Sequence, residues 1–183
     1  MAPPKKGTKV EGTKKKSKPT GGIKSGSAAR VMKGALDKKY RLSIKAVDLA
    51  IRETEMCLAK IAKHCRTSLE IAKKKTLKHD MLLQVLEQMC ARSEVQKAAR
   101  TARVDGKLKG DRNIVANASV GRVVKKHLGG DFRISATVLD AFSLIAEAEL
   151  ARFATSGASI INVSGRTTIK ERDIIAVIKV SDH

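Results

Sequence analysis

The amino-acid sequence predicts an all-α fold built from two copies of one three-helix unit. All prolines, Pro3, Pro4 and Pro19, lie near the N-terminus, so no later helix is interrupted by one. After the last proline, apolar residues recur at spacings of three and four, as on the buried face of an α-helix. A stretch that begins at Arg30 also returns 92 positions later at Arg122, which indicates an internal repeat.

The repeat extends over most of the chain. The stretches RVMKGALDKKYRLS and RVVKKHLGGDFRIS align without a gap. The same offset relates further identical residues in the two copies: Asp48 and Asp140, Glu55 and Glu147, Thr76 and Thr168, and Lys78 and Lys170. One unit of roughly 60 residues therefore occurs twice.

The first copy predicts a short, a long and a short helix. The apolar face of its first helix consists of Val31, Met32, Ala35 and Leu36. Ser43 is the predicted N-cap of the long helix, which ends near Leu69 or Ile71, and the last helix follows Thr76. At 1.5 Å per residue the long helix spans roughly 40 Å. Two short neighbours cannot cover it.

The second copy repeats this order, with Ser135 as the predicted N-cap of its long helix. One unit with a long exposed apolar stripe is marginally stable, whereas two units can bury both stripes by crossing their long helices. We therefore predict an intrachain pseudo-dimer. Its predicted parts are a disordered basic tail at 1–27, a first unit at 28–95, a basic linker at 96–113 and a second unit at 114–183.

The charge favours a polyanionic partner. The formal net charge is +20 and the sequence pI is about 10.2, and such a surface attracts nucleic acid through counterion release. Residues 1–27 alone hold eight Lys against one Glu, a composition typical of disorder. We expect no membrane association, because no apolar run approaches the roughly 20 residues that a spanning helix needs.

No motif indicates catalysis or metal binding. Cys57, Cys65 and Cys90 are odd in number and lack a CxxC spacing, so we interpret them as core thiols. The sequence contains no HExxH, GxSxG or P-loop motif. We therefore predict that the protein is not an enzyme and needs neither a metal ion nor a cofactor.

A loop motif carries a resemblance to a known family. Each long helix is preceded by Arg-x-Ser, at Arg41 and Arg133, and the second is followed by SGRTTIKERDI, which contains Arg-x-Thr. This order of helices and loops resembles the histone fold of archaeal histones and nucleosomal core histones. The resemblance covers residues 28–90 and 116–180. The whole chain is similar to a histone doublet, the fused form found in certain giant DNA viruses and some archaea.

The resemblance implies how DNA is bound. Head-to-tail pairing of the units should bring Arg41 to Thr168 and Arg133 to Thr76. Each paired loop would offer backbone N–H groups and a threonine hydroxyl to phosphates, while its arginine enters the minor groove. The implied DNA-binding residues are Arg30, Arg41, Ser43, Lys74, Lys75, Thr76, Arg122, Arg133, Ser135, Arg166, Thr167 and Thr168. The alternative for the last loop is a plain capping box formed by Thr168 and Glu171.

The chain departs from the family pattern at two places. Histones commonly pair the arginine of the second loop with an aspartate seven residues later, and Arg166 with Asp173 keeps this structural pair. The first copy instead has Lys74 and Met81, so its pair would be missing or rebuilt. Where many histones place the histidine of the four-helix bundle between dimers, this chain has Ile71 and Val163.

These features predict a structural DNA-packaging protein with double-stranded DNA and other histone doublets, of the same or a second type, as partners. The alternative is a histone-fold regulatory subunit that acts mainly through protein partners. A packaging role implies a chromatin-like nucleoprotein. The predicted location is the virion and the host nucleus or viral factory if the protein is viral, and the nucleoid if it is archaeal. The Lys-rich tail favours a virus of a eukaryotic host.

Overall fold

The computed structural model describes residues 22–102 and 113–181. Within these ranges the helices are α1 (Ser25–Gly34), α2 (Ile44–Ile71), α3 (His79–Gln88), α4 (Ser93–Thr101), α5 (Asn117–Leu128), α6 (Ala136–Val163) and α7 (Glu171–Ser181). Four two-residue strands lie in the loops: β1 (Arg41–Leu42), β2 (Thr76–Leu77), β3 (Arg133–Ile134) and β4 (Thr168–Ile169). The predicted all-α class is confirmed, because α1 to α3 and α5 to α7 form two short–long–short units.

The short strands join the two units reciprocally. Strand β1 pairs with β4, and β2 pairs with β3, both in parallel. Since β1 precedes α2 and β4 follows α6, the start of α2 lies beside the end of α6. The other strand pair places the end of α2 beside the start of α6. The long helices therefore run in opposite directions, as the predicted pseudo-dimer requires.

The two units share one hydrophobic core. The side chains of Leu58 and Ile61 on α2, and of Phe142, Ile145 and Leu150 on α6, are fully buried in a single cluster. Helix α1 packs against α6, and α5 packs against α2, so each short helix covers the long helix of the other unit. Burial of one such side chain contributes about 1.5–3 kcal/mol. Most of this stabilisation requires both units.

In each unit, the residue shortly before the first helix is hydrogen-bonded to the long helix. The backbone N–H of Ile23 donates to Glu55 at 2.7 Å, and that of Val115 donates to Glu147 at 2.8 Å. Ile23 and Val115 are both buried and occupy equivalent repeat positions. Helix α1 consequently begins at Ser25, three residues before the predicted boundary at 28. The rest of the predicted tail, residues 1–21, lies outside the described residues.

Helix α4 occupies part of the predicted linker 96–113. Val95 and Ala99 are buried four residues apart, which gives this short segment an apolar face for docking against α3 and α6. Arg92, just before α4, donates to the buried Glu149 at 3.3 Å. Arg100 also forms an ion pair with Glu87 at 2.9 Å. Residues 103–112 of the linker lie outside the described residues.

The cysteines differ in their surroundings. Cys65 is buried and burial raises its pKa to about 12, while burial of the half-buried Cys57 raises its pKa to about 11. Cys90 is exposed just after α3, at a φ of 49°, so its prediction as a core thiol is wrong.

In the described ranges, no group of three or more His, Cys, Asp or Glu could hold a metal ion. No helix found there is long and apolar enough to cross a membrane.

Candidate nucleic-acid interface

The first paired-loop site is formed by β1 and β4. Arg41 is the register partner of Thr168, and its N–H donates to the carbonyl of Thr167 at 2.8 Å. The N–H of Ser43 donates to the carbonyl of Ile169 at 3.0 Å. The Arg41 side chain is exposed, and Thr168 is half-buried. The predicted approach of Arg41 to Thr168 is confirmed.

The second paired-loop site is formed by β2 and β3 at the opposite end of the molecule. Thr76 is the register partner of Arg133, whose N–H donates to the carbonyl of Lys75 at 2.8 Å. The N–H of Ser135 donates to the carbonyl of Leu77 at 3.2 Å. Arg133, like Arg41, is exposed. Both paired-loop sites therefore place an exposed arginine of one unit beside a threonine of the other.

Two further predicted arginines lie outside the loops. Arg30 is on the exposed face of α1 and Arg122 is on the exposed face of α5. These helices pack on the two long helices, and neither arginine is a register partner in a paired-loop site.

The arrangement matches a known architecture. The structure is similar to the crystal structure of the histone from Methanopyrus kandleri, with a TM-score of 0.59 over 83% of this chain and 90% of that chain. The chain has the histone fold. Its sequence is 20% identical to that protein, a level at which the likeness shows the fold alone. No protein-family model and no curated protein matches the sequence.

The loop after α6 of this histone-fold chain is fixed by the predicted structural pair. Arg166 donates two hydrogen bonds to Asp173, at 2.7 and 3.2 Å, and one to Ser164 at 3.0 Å. Burial alone would raise the pKa of Asp173, but hydrogen bonds from Arg166 and the Lys170 N–H outweigh it and lower that pKa. Arg166 is therefore held in place by an ionised carboxylate, unlike the exposed Arg41.

The corresponding loop after α2 lacks this pair, as its sequence predicts. Lys74 and Met81 stand at the equivalent positions, and Lys74 makes no side-chain ion pair within the described residues. Lys74 and Lys75 are exposed. Such lysines bind phosphate as flexible point charges, without the planar two-pronged geometry of arginine. The two paired-loop sites thus differ in rigidity.

Both loops place a residue in the left-handed region at equivalent positions. Gly165 adopts this conformation readily at a φ of 63°, whereas Lys73 adopts it at 53° with a Cβ that crowds the backbone. A left-handed residue is needed at this position because the chain turns there from the long helix into the strand. The loop of the first unit therefore holds backbone strain that the second avoids.

Replacing Lys73 by glycine should raise the free energy of unfolding by up to about 1 kcal/mol, because the strain of a left-handed lysine exceeds the entropy that glycine adds to the unfolded chain. Thermal or denaturant unfolding of the full chain measures the change. Lys74→Gly is the matched control, since φ of Lys74 is not positive and only the entropic loss applies. Equal destabilisation by both changes would contradict the prediction.

Helix-capping roles were predicted for three hydroxyl side chains, and the structure confirms only one of them. The Ser43 hydroxyl accepts from the N–H of Ala46 at 3.2 Å, which confirms it as an N-cap. Ser135 has the backbone position of an N-cap, but its side chain makes no capping hydrogen bond. The capping box of Thr168 and Glu171 is wrong, because Thr168 lies in β4 and Glu171 is the first residue of α7. The strand pairing takes precedence over a local cap.

A basic groove between α2 and α5 was not predicted. Its cationic lining residues are Arg52, Lys60 and Lys63 of α2 and Arg122 and Lys126 of α5. Its acids Asp48 and Glu55 already accept hydrogen bonds from residues of the same groove, the Ser25 hydroxyl and the Ile23 N–H. Lys63 and Lys126 have Thr155 and Gly34 as repeat equivalents. A comparison of the copies therefore gave no signal for this groove.

Proposed function

We propose that the chain is a structural DNA-packaging protein, a histone doublet that binds duplex DNA through its backbone and bends it into nucleosome-like particles. The proposal rests on one observation: each end of the molecule presents an exposed arginine of one unit beside a threonine of the other. A positive, exposed site of this kind matches a phosphate backbone. The formal net charge of +20 supports the same partner.

The arginines and the threonines of the paired-loop sites take different roles in this proposal. In histone octamers, arginine side chains enter the minor groove each time it faces the protein, and backbone groups contact the neighbouring phosphates. We assign the minor-groove role to Arg41 and Arg133, and the phosphate role to Thr76, Thr168 and the adjacent backbone. Arg30 and Arg122 would add phosphate contacts between the two paired-loop sites. None of these contacts reads a base sequence, so binding should be independent of sequence.

Packaging also requires contacts between chains. We assign them to the ends of the long helices near Ile71 and Val163, as a four-helix bundle between doublets. The protein would then reside in a chromatin-like nucleoprotein: the virion, host nucleus or viral factory for a virus, or the nucleoid for an archaeon.

Nuclease digestion of duplex DNA reconstituted with this protein alone, at moderate salt, tests the proposal. We expect a ladder of discrete protected lengths, because stacked chains bind the duplex at regular intervals. Protection without discrete lengths would contradict unaided assembly and would require a second doublet. Loss of all protection would contradict packaging and favour the regulatory subunit that acts through protein partners.

A further inference from the structure

One face of α2 carries an exposed row of side chains near the middle of the helix. Arg52, Met56, Lys60 and Lys63 are three and four residues apart, so they share this face. All four are exposed. Met56, an apolar residue among three cations, is 47% exposed. We call these four residues the α2 stripe.

A recess lies on each side of the α2 stripe. On one side is the basic groove between α2 and α5, with a volume of about 870 Å³. On the other side is a smaller cavity of about 270 Å³ between α2, α6, α7 and the start of α4. Met56 and Lys60 line both recesses, and the smaller one is also lined by the apolar Met89, Phe153 and Ile178. The stripe is therefore a ridge with space for side chains on both sides.

The repeat-equivalent surface of the other unit is covered by a helix. The repeat relates α2 to α6 and α3 to α7, and α4 packs against α6 and α3. Arg92, just before α4, donates to Glu149 of α6 at 3.3 Å. The carbonyl oxygen of Ala99 in α4 lies 2.9 Å from a ring nitrogen of His79 in α3. Glu149 is consequently buried, whereas its equivalent Cys57 on α2 is half-buried.

In the part of the chain that the structure describes, no helix covers the corresponding surface of α2 and α7. Leu86 of α3 is fully buried, but its equivalent Ile178 of α7 is half-buried. Leu83 is half-buried, but its equivalent Ile175 is 42% exposed. Together with Met56, these residues form an apolar surface at the place where the other unit is covered by α4.

The charges beside the α2 stripe favour an acidic occupant. Of the acids that line the two recesses, Asp48 and Glu55 already accept hydrogen bonds, and Glu149 is shared by two arginines. The half-buried Glu53 is the remaining acid. Five exposed cations line the recesses and form no ion pair with another described residue: Arg52, Lys60, Lys63, Arg122 and Lys126.

We propose that an acidic amphipathic helix of a partner protein docks along the α2 stripe. Its apolar face covers Met56 and Ile178, and its carboxylates lie against the cations of the stripe and of α5. A phosphate backbone would match the cations but would leave Met56 and Ile178 uncovered. Of the residues proposed to bind DNA, only Arg122 lines either recess, so this contact is separate from the paired-loop sites.

Binding of a synthetic peptide to the full chain, measured by fluorescence anisotropy without DNA, tests the proposal. The probe has about 18 residues, with Leu at spacings of three and four and with Glu and Ala elsewhere. A control peptide has the same composition in an order that forms no apolar face. We expect the amphipathic peptide to bind at least about tenfold more tightly, because it alone can cover Met56 while it meets the cations.

Substitutions test the charged and the apolar contacts separately. Lys60→Glu with Lys63→Glu should weaken binding of the amphipathic peptide at least about tenfold. Met56→Gln keeps the charge and should weaken it several-fold. The matched control, Lys33→Glu with Lys97→Glu, reverses two charges at exposed positions of α1 and α4 that line neither recess. It should change the affinity by less than about twofold, because distant surface charges are screened by salt.

Other results would overturn the proposal. Equal binding of the two peptides, no binding of either, or equal losses in the two charge-reversed variants would exclude a docked helix. If Lys60→Glu with Lys63→Glu lost affinity for duplex DNA but bound the peptide normally, the stripe would be a nucleic-acid contact instead. Arg41→Ala with Arg133→Ala should weaken DNA binding and leave peptide binding unchanged, so failure of the proposed function and failure of this proposal are distinguishable.

Discussion

Replacing Arg41 and Arg133 together by alanine should lower the affinity for duplex DNA of any sequence at least about tenfold at moderate salt. Both side chains are exposed at the paired-loop sites, so the change removes two charged contacts and leaves the core untouched. Each positive side chain held against the DNA, in the groove or on a phosphate, releases condensed counterions and contributes about 0.9 to the slope of log affinity against log salt, so the slope should fall by about 2. Fluorescence anisotropy over a salt series, with several duplexes, measures both quantities.

The control must remove the same charge elsewhere. Lys97→Ala with Arg100→Ala does so on the exposed face of α4, at residues that belong to neither strand pair. We expect it to retain most of the affinity and of the slope. An unchanged slope in the Arg41 and Arg133 variant would exclude the paired loops from the mechanism, however large the loss of affinity.

Replacing Glu149 by alanine should lower the free energy of unfolding by about 3–5 kcal/mol. The Glu149 side chain is 3% exposed and accepts hydrogen bonds from Arg92 at 3.3 Å and from Arg152 at 2.9 Å. Its removal leaves the largely buried Arg152 without this carboxylate. It also releases Arg92, which anchors the start of α4. Denaturant unfolding gives the loss, and hydrogen exchange should show α4 opening first.

Glu70→Ala is the matched control for this prediction. Glu70 accepts from Arg66 at 2.8 Å, but both side chains are about half exposed, so water replaces the lost contact. We expect little change in stability. A loss from Glu149→Ala as small as that from Glu70→Ala would show that burial adds nothing to the ion pair.

The sequence predicted the arrangement of both paired-loop sites, but not all of its surroundings. The repeat identified the equivalent loops, and the resemblance to histones implied that they pair head to tail. The position of Arg41 beside Thr168 was therefore predicted from the sequence. The salt link of Arg166 to Asp173 followed from spacing within the family pattern. These features repeat or lie close together in the chain, which is why a sequence comparison detects them.

Features that depend on contacts between distant residues were missed. Nothing local to Ile23 or Val115 indicates that a glutamate 32 positions later accepts from its backbone N–H. The basic stretch after the first unit was expected to be helical, but its packing as α4 against α3 and α6 was not indicated by its charge or by the repeat. Thr168 has the pattern of a helix cap, yet pairing with β1 takes it into a strand.

The strand pairs also determine when the paired-loop sites can form during synthesis of the chain. Arg41 pairs with Thr168, and Thr76 pairs with Arg133, so neither site can form before most of the chain has left the ribosome. A nascent chain that holds only the first unit has its loops and lysines but no completed site. Under the proposed function, binding of nucleic acid at the paired-loop sites would have to wait for translation of the second unit.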